Sequence, residues 1–171
     1  MVYLDHAATT AVRPEAVAEM TEEYGRLGNP SSLHGPGRAA RRVVEEARED
    51  IAWALGATPH EVVFTGGGTE ADNLAVKGLY WARNQADPRR RRILVSAVEH
   101  HAVLDPARWM ADRQGARYEE LPVDGYGTVH PGALREAIER DPDDVALVSV
   151  MWANNEVGTV QPVRELAAVA A

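Results

Sequence analysis

The sequence predicts an α/β protein with a mainly parallel sheet. Short apolar runs alternate with amphipathic helical stretches along most of its 171 residues, the pattern of strands joined by helical crossovers. No internal repeat or low-complexity linker interrupts that alternation. A chain of this length buries one full-sized core.

The elements are read in order. "RPEAVAEMTEEYGRL" is a helix, with Pro14 near its start and Gly28 after its end. "GNPSSLHGPGR", 28–38, is dense in turn formers and reads as a loop. "GRAARRVVEEAREDIAWALG" is a long helix that places Val43, Ala47, Ile51 and Leu55 on one apolar face, and Gly56 stops it. "EVVFT" reads as a strand, 69–86 as a helix, "RILVSAV" as a strand and 102–114 as a helix. "ARYEELPV" is a strand, "PGALREAIERD" a helix and "DVALVSVMW" a strand, and a last helix begins after Pro162. The closing "PVRELAAVAA" has no C-cap glycine or polar ending, so the chain reads as cut off in the middle of a fold.

Composition removes several classes. A net charge of −8 argues against nucleic acid as a partner. The basic cluster Arg89–Arg92 reads as a solvated loop. No cysteine is present, so disulfides and thiolate metal sites are excluded. No apolar run approaches the roughly 18 residues that cross a bilayer, and the opening "MVYLDHAATT" lacks signal-peptide features, so no membrane partner and a cytoplasmic location are expected.

The most pointed feature is Gly66-Gly67-Gly68-Thr69, between "VVFT" and a helix. A helix start of this kind offers unpaired N–H groups and a partial positive charge to a phosphate, and Thr69 adds a hydroxyl. One alternative is a turn that needs positive φ and binds nothing. Another is the dinucleotide fingerprint Gly66-x-Gly68-x-x-Ala71, although the acidic residue expected about 20 positions later is missing. No Gly-Lys-Ser/Thr follows, which excludes a P-loop. Glu99, His100 and His101 are adjacent at a strand end and converge poorly, so no metal site is expected.

"LDHAATT", "GNPSSLHGPGR", "FTGGGTEADNLAVKG", "EHHAVL" and "NNEVGTVQP" occur in that order. The set resembles the N-terminal part of the cysteine desulfurases, class V, fold-type I pyridoxal-phosphate enzymes, from Tyr3 to the end of the chain. The resemblance implies the three-layer large domain of fold-type I transferases, with a mainly parallel or mixed sheet, incomplete at the C-terminus. Residues 1–14 would be an N-terminal arm and 15–171 the N-terminal part of the cofactor-binding domain. It also implies that Gly68 and Thr69 bind the phosphate of pyridoxal 5'-phosphate. His100 would stack on the pyridine ring and assist proton movement, and Asn155 would sit near the ring's phenolic oxygen and the substrate. Serine and alanine are common in relatives where this chain has Gly67 and Gly68, and Trp152 replaces an expected histidine. His6, Asn29 and His34 lie in matching loops with no chemistry assigned, while His60 and His130 read as surface turn residues.

The implied reaction moves sulfur from L-cysteine to an enzyme cysteine, leaving L-alanine, for a sulfur-acceptor protein in iron–sulfur or thio-cofactor assembly. The family's cofactor-carrying lysine lies in a later Ser-Gly-His-Lys-type segment that does not occur here, and its sulfur-accepting cysteine is absent too. The only lysine, Lys77, is eight residues past Thr69, roughly 12 Å along a helix, and reads as solvated. The chain alone is therefore expected to be inactive, as one part of a homodimeric enzyme or a half complemented by a C-terminal chain. A selenocysteine lyase, another class V enzyme, a nucleotide-binding module and a non-catalytic partner of a complete desulfurase remain alternatives.

Overall fold

A computed structural model describes residues 2–171. It divides into two compact units, one ending at Phe64 and the other spanning Thr65–Ala171.

In the first unit, α1 (Pro14–Tyr24) begins with its proline in the first turn and ends against Gly25 rather than reaching Gly28. Helix α2 (Gly35–Leu55) is capped by His34, whose Nδ1 accepts the Gly37 N–H, and is stopped by Gly56 at φ 66°. At Gly37 the helix presses so closely on the preceding turn that a Cβ would lie 2.4 Å from the Ser32 carbonyl oxygen.

Two expectations fail in this unit. The predicted apolar face of α2 is not its packed face: Ala52 is buried, while Ile51 is 39% and Leu55 74% exposed. The Thr58–Glu61 turn packs against this helix, drawn tight by the Thr58 N–H donating to the Glu61 carboxylate. Nor does "EVVFT" join a strand pair. Its Val62 carbonyl, which a ladder neighbour would have engaged, accepts from Arg48 Nη1. The Arg48 guanidinium also stands 4.7 Å over the Phe64 ring.

The second unit is built on three parallel strands in the order β2-β1-β3: β1 (Arg92–Ser96), β2 (Arg117–Leu121) and β3 (Val145–Ser149). The register sets Ile93 beside Tyr118 and Leu147, and Val95 beside Glu120 and Ser149. Helices α3 (Gly68–Ala86) and α4 (His101–Gln114) cover one face, where Ile93 and Val95 meet Val76, Tyr80, Ala107 and Met110. Leu94 points the other way, into a core with Leu134 and Ala137 of α5 (Pro131–Glu139) and Leu166 of α6 (Val163–Ala170). Alternation along a strand produces this division, because successive side chains leave opposite faces. The three layers are those predicted, and the helix and strand ends lie within a few residues of the expected ones. No helix among the described residues is long and apolar enough to cross a membrane.

Arg92 is not solvated, contrary to the reading of the basic cluster. It is 3% exposed at the start of β1, and Asp144, beside it, is 5% exposed. Its Nε donates to Asp144 Oδ1 at 2.7 Å, its Nη1 to Glu119 Oε2 at 3.2 Å and its Nη2 to the Asp141 carbonyl at 3.0 Å. Asp144 also accepts from Arg117 Nη1 at 2.9 Å.

Asp144→Ala removes the closer of the two carboxylates that neutralise the buried Arg92, leaving Glu119, and is expected to cost about 3 kcal/mol in urea unfolding. Replacing Arg92 and Asp144 together by leucine is expected to cost less than the single change. A single change costing under about 1 kcal/mol would show that the pair is not a structural lock.

Candidate functional site

Parallel strands point the same way, so the turns after β1 and β3 open on one edge of the sheet, where α/β folds place their ligands. Helix α3 leads down to the start of β1, which brings its own N-terminus to that edge. The glycine turn, the His100 turn and the 150–162 loop thus reach one end of the unit.

The glycines are not explained by backbone strain. Gly67 is extended (φ 160°, ψ 178°), and the positive-φ glycines of the described residues are Gly56, Gly115, Gly127 and Gly158. A Cβ at Gly67 or Gly68 would meet nothing within 4 Å. The reading in which positive φ alone demands these glycines is therefore wrong. The dinucleotide reading fares no better, since the segment before the turn pairs with no other strand.

The turn's polar groups point to a ligand for the helix end. Gly66 N–H is taken by Glu70 Oε2, and Thr65 Oγ1 donates to the Gly67 carbonyl at 3.1 Å. Gly67, the residue before α3, supplies no side-chain cap, and the first helical bond is Ala71 N–H to Gly67 carbonyl at 3.1 Å. The N–H groups of Gly68, Thr69 and Glu70 precede that bond and have no helical acceptor. They lie at the positive end of a 19-residue helix with open space before them.

His100 is exposed and caps α4, its Nδ1 accepting the Ala102 N–H at 3.0 Å. That bond leaves the proton of the neutral imidazole on Nε2. Thr69 and His100 line the same open depression, about 430 Å³ in volume, between α3 and α4. Its walls follow helical spacing: Thr69, Asn73 and Lys77 on α3, His101, Asp105 and Trp109 on α4. Pro106 has no N–H, so the Ala102 carbonyl lacks its helical donor, and both residues line the depression. Gly68 borders an adjoining hollow with Gly66, Gly67, Thr69, Glu70 and Asn73.

Lys77 was expected in solvent. It is half-buried, its Nζ 4.9 Å over the Trp109 ring and in the wall of the depression. Its direction is set by a partner 32 residues away, which helix periodicity does not reveal.

Asn155 stands apart from these residues. It is exposed on the loop after β3, Nδ2 donating to Glu156 Oε1 at 3.2 Å, and does not line the depression. Its neighbour Asn154 is the structural one: Nδ2 donates to the Val98 carbonyl at 2.9 Å, and Oδ1 accepts from the N–H groups of Glu156 and Val157. Adjacent asparagines gave no sign of which does which.

Sequence reasoning also passed over Glu99 as a member of the site. It is buried and accepts the Met151 N–H. Burial pushes its carboxyl above the usual range; the Met151 N–H opposes this, the nearby Asp72 charge adds to it, and the His100 N–H and Ser149 hydroxyl oppose it. An acid directly after an apolar strand is the signal that was available.

An uncapped helix start with room before it, a hydroxyl at its second residue and an imidazole across the same depression fit a phosphorylated aromatic ligand. Glu70 does not compete for the free N–H groups, because its carboxylate is held by Gly66.

Residues 2–171 match the family model for aminotransferase class-V proteins. The chain is 59% identical over 170 residues to an IscS-like cysteine desulfurase of Mycobacterium tuberculosis, covering 99% of this chain and 43% of that protein. It is 44% identical over 173 residues to the cysteine desulfurase IscS of Methanosarcina thermophila, covering 99% and 40%. Among solved structures, a NifS-like protein superposes with a TM-score of 0.90 at 38% identity over 99% of this chain and 45% of its own. SspA in complex with cysteine gives 0.87 at 34% identity over 98% and 47%. The chain thus spans about two fifths of the length of the curated relatives it matches.

Gly67→Ala and Gly68→Ala are expected to change unfolding stability by less than about 1 kcal/mol, since neither φ nor packing opposes a methyl group. Gly115→Ala, at φ 73° beyond α4, is the control and is expected to lose about 1 kcal/mol or more. Equal losses at all three positions in thermal unfolding would return the glycine turn to a purely structural role.

Proposed function

The chain belongs to the aminotransferase class-V family, and on that premise we propose that it is the N-terminal portion of a pyridoxal-phosphate-dependent cysteine desulfurase. The observation that carries the reading is the uncapped Gly68-Thr69 start of α3, whose Thr69 shares a depression with His100.

Gly68 N–H and the Thr69 N–H and hydroxyl bind the phosphate, using donors that no helical or capping acceptor takes. His100 lies against the ring with its imidazole fixed by the Ala102 N–H, and its Nε2 is the atom that carries or releases a proton. Asn155 would offer its amide N–H to the ring's phenolic oxygen; that amide is exposed and meets Glu156 Oε1 at 3.2 Å. When bound, pyridoxal phosphate supplies an electron sink for bonds at the substrate's α and β carbons.

The substrate is L-cysteine. One relative by fold is a protein in complex with that amino acid. The net reaction converts cysteine and an enzyme thiol into alanine and an enzyme persulfide, whose outer sulfur passes to an acceptor protein for iron–sulfur or thio-cofactor assembly. This sequence has one lysine and no cysteine. The cofactor-carrying lysine and the sulfur-accepting cysteine are therefore assigned to the part of the relatives' length that this chain does not span. The working enzyme is a homodimer in the cytoplasm, or this chain joined by a complementary one.

Titration of the chain with pyridoxal phosphate, followed by absorbance, tests the reading. Saturable binding that inorganic phosphate competes away is expected, and Thr69→Val is expected to weaken it about tenfold, near 1.4 kcal/mol. Borohydride treatment with peptide mapping is expected to find no stoichiometric adduct at Lys77, and the chain alone is expected not to consume cysteine. A stoichiometric Lys77 adduct, robust turnover, or tighter binding of NAD than of pyridoxal phosphate would overturn the assignment.

A further inference from the structure

His100 and Asn155 sit on two separate loops that leave neighbouring strands at the same edge. The ladder between those strands ends at Val95 and Ser149, so backbone pairing does not hold the loops to each other. The loop after β3 closes mainly on itself. Asn154 N–H donates to the Thr159 carbonyl, Gly158 N–H to the Asn154 carbonyl and Gln161 N–H to the Trp152 carbonyl, all at 2.8–2.9 Å. Its far leg is held to the 126–129 segment, where Thr159 Oγ1 and Gln161 Nε2 donate to the Tyr126 and Gly127 carbonyls and Gln161 Oε1 accepts the Val129 N–H, so the link toward His100 is made at its near base.

Two bonds join that base to the segment before His100. Asn154 Nδ2 reaches the Val98 carbonyl, and the Met151 N–H reaches Glu99 Oε1. Glu99 is the more demanding of the two fasteners, because a buried carboxylate is costly unless donors surround it. The Met151 N–H meets it directly, and the His100 N–H and Ser149 hydroxyl act on the side that favours its charged form. This set suits an acceptor-only group, whereas glutamine would turn its NH₂ toward one of the donors. The charge of Asp72, on α3 one turn after Thr69, acts on Glu99 in the opposite sense. Glu99, next to His100 in the chain, therefore ties that turn to the segment just after β3.

We propose that Glu99 is a positioning residue that holds the Asn155 loop in fixed relation to His100 for cofactor binding. The bond to Met151 carries the load, and the role rests on the cofactor reading above.

The test compares Glu99→Leu and Glu99→Gln with the natural chain, by peptide-resolved hydrogen exchange and by pyridoxal-phosphate titration. In Glu99→Leu, exchange across 150–161 is expected to accelerate at least tenfold while 92–96 stays protected, and cofactor affinity is expected to fall about tenfold. Glu99→Gln keeps one acceptor and is expected to fall between the two in both readouts. Where Glu99→Leu also loses protection at 92–96, the glutamine variant decides, by faster exchange in the loop than in the strand. Unchanged loop exchange in the folded variants overturns the proposal, whatever the chain binds. A loosened loop with unaltered affinity overturns it too, reducing Glu99 to a structural acid. Failure of the natural chain to bind the cofactor instead overturns the desulfurase reading, and the exchange data separate the two failures.

Discussion

A guanidinium buried at the start of a central strand has to be neutralised in place, and the sheet of this protein is arranged around that requirement. Arg92 engages Asp144 at the head of β3 and Glu119 on β2, while the backbone N–H groups of Arg91 and Arg92 both reach the Asp144 carbonyl. Asp144 turns its second oxygen to Arg117, which opens β2. One charge pair therefore gathers the starts of all three strands. A one-residue slip of either outer strand would separate buried opposite charges and turn apolar side chains to the wrong face. The bulge in the β1–β3 pairing lies between Arg92 and Ile93, next to these bonds.

With the amino edge locked by charge, the carboxyl edge is left to loops. Their positions follow from the register, since the His100 turn and the loop carrying Asn155 each start a fixed number of residues beyond paired positions. The same alternation that sends Ile93 and Val95 to α3 and α4 brings those two helices together, and the depression that bears Thr69 and His100 is the groove between them. The placing of the candidate site at one end of the sheet thus depends on electrostatics at the other through the register of three short strands.

Most of the second unit could be read from sequence because its signals are local. "RILVS" and "VALVS" are continuous apolar runs of strand length, and α5 begins at Pro131 and α6 directly after Pro162. What failed needed knowledge of a neighbour. "EVVFT" has the composition of a strand, but pairing is a property of two segments, and here an arginine takes the carbonyl instead. Val43, Ala47, Ile51 and Leu55 form a face by arithmetic, yet none of them is buried, while Gly37 and Ala52 of the same helix are. The spacing of the glycine turn left open whether φ or open space called for its glycines, and at Gly67 and Gly68 the space before the helix is open. Glu99 and Lys77 were undervalued because their partners, Met151 and Trp109, are 52 and 32 positions away in the chain.

The Lys77–Trp109 contact has an optical consequence. The indole lies in the wall of the depression, next to a cation and on the helix that His100 caps. Its emission is sensitive to the distance and orientation of that ammonium group. A near-ultraviolet chromophore lodged beside Thr69 and His100 would also sit close enough to accept its excitation. Trp81 and Trp152, in the same unit, do not border that space. The fold therefore carries a resident fluorophore at the candidate site, and conversion of the other three indoles to phenylalanine would leave a chain whose glow reports occupancy of that groove alone.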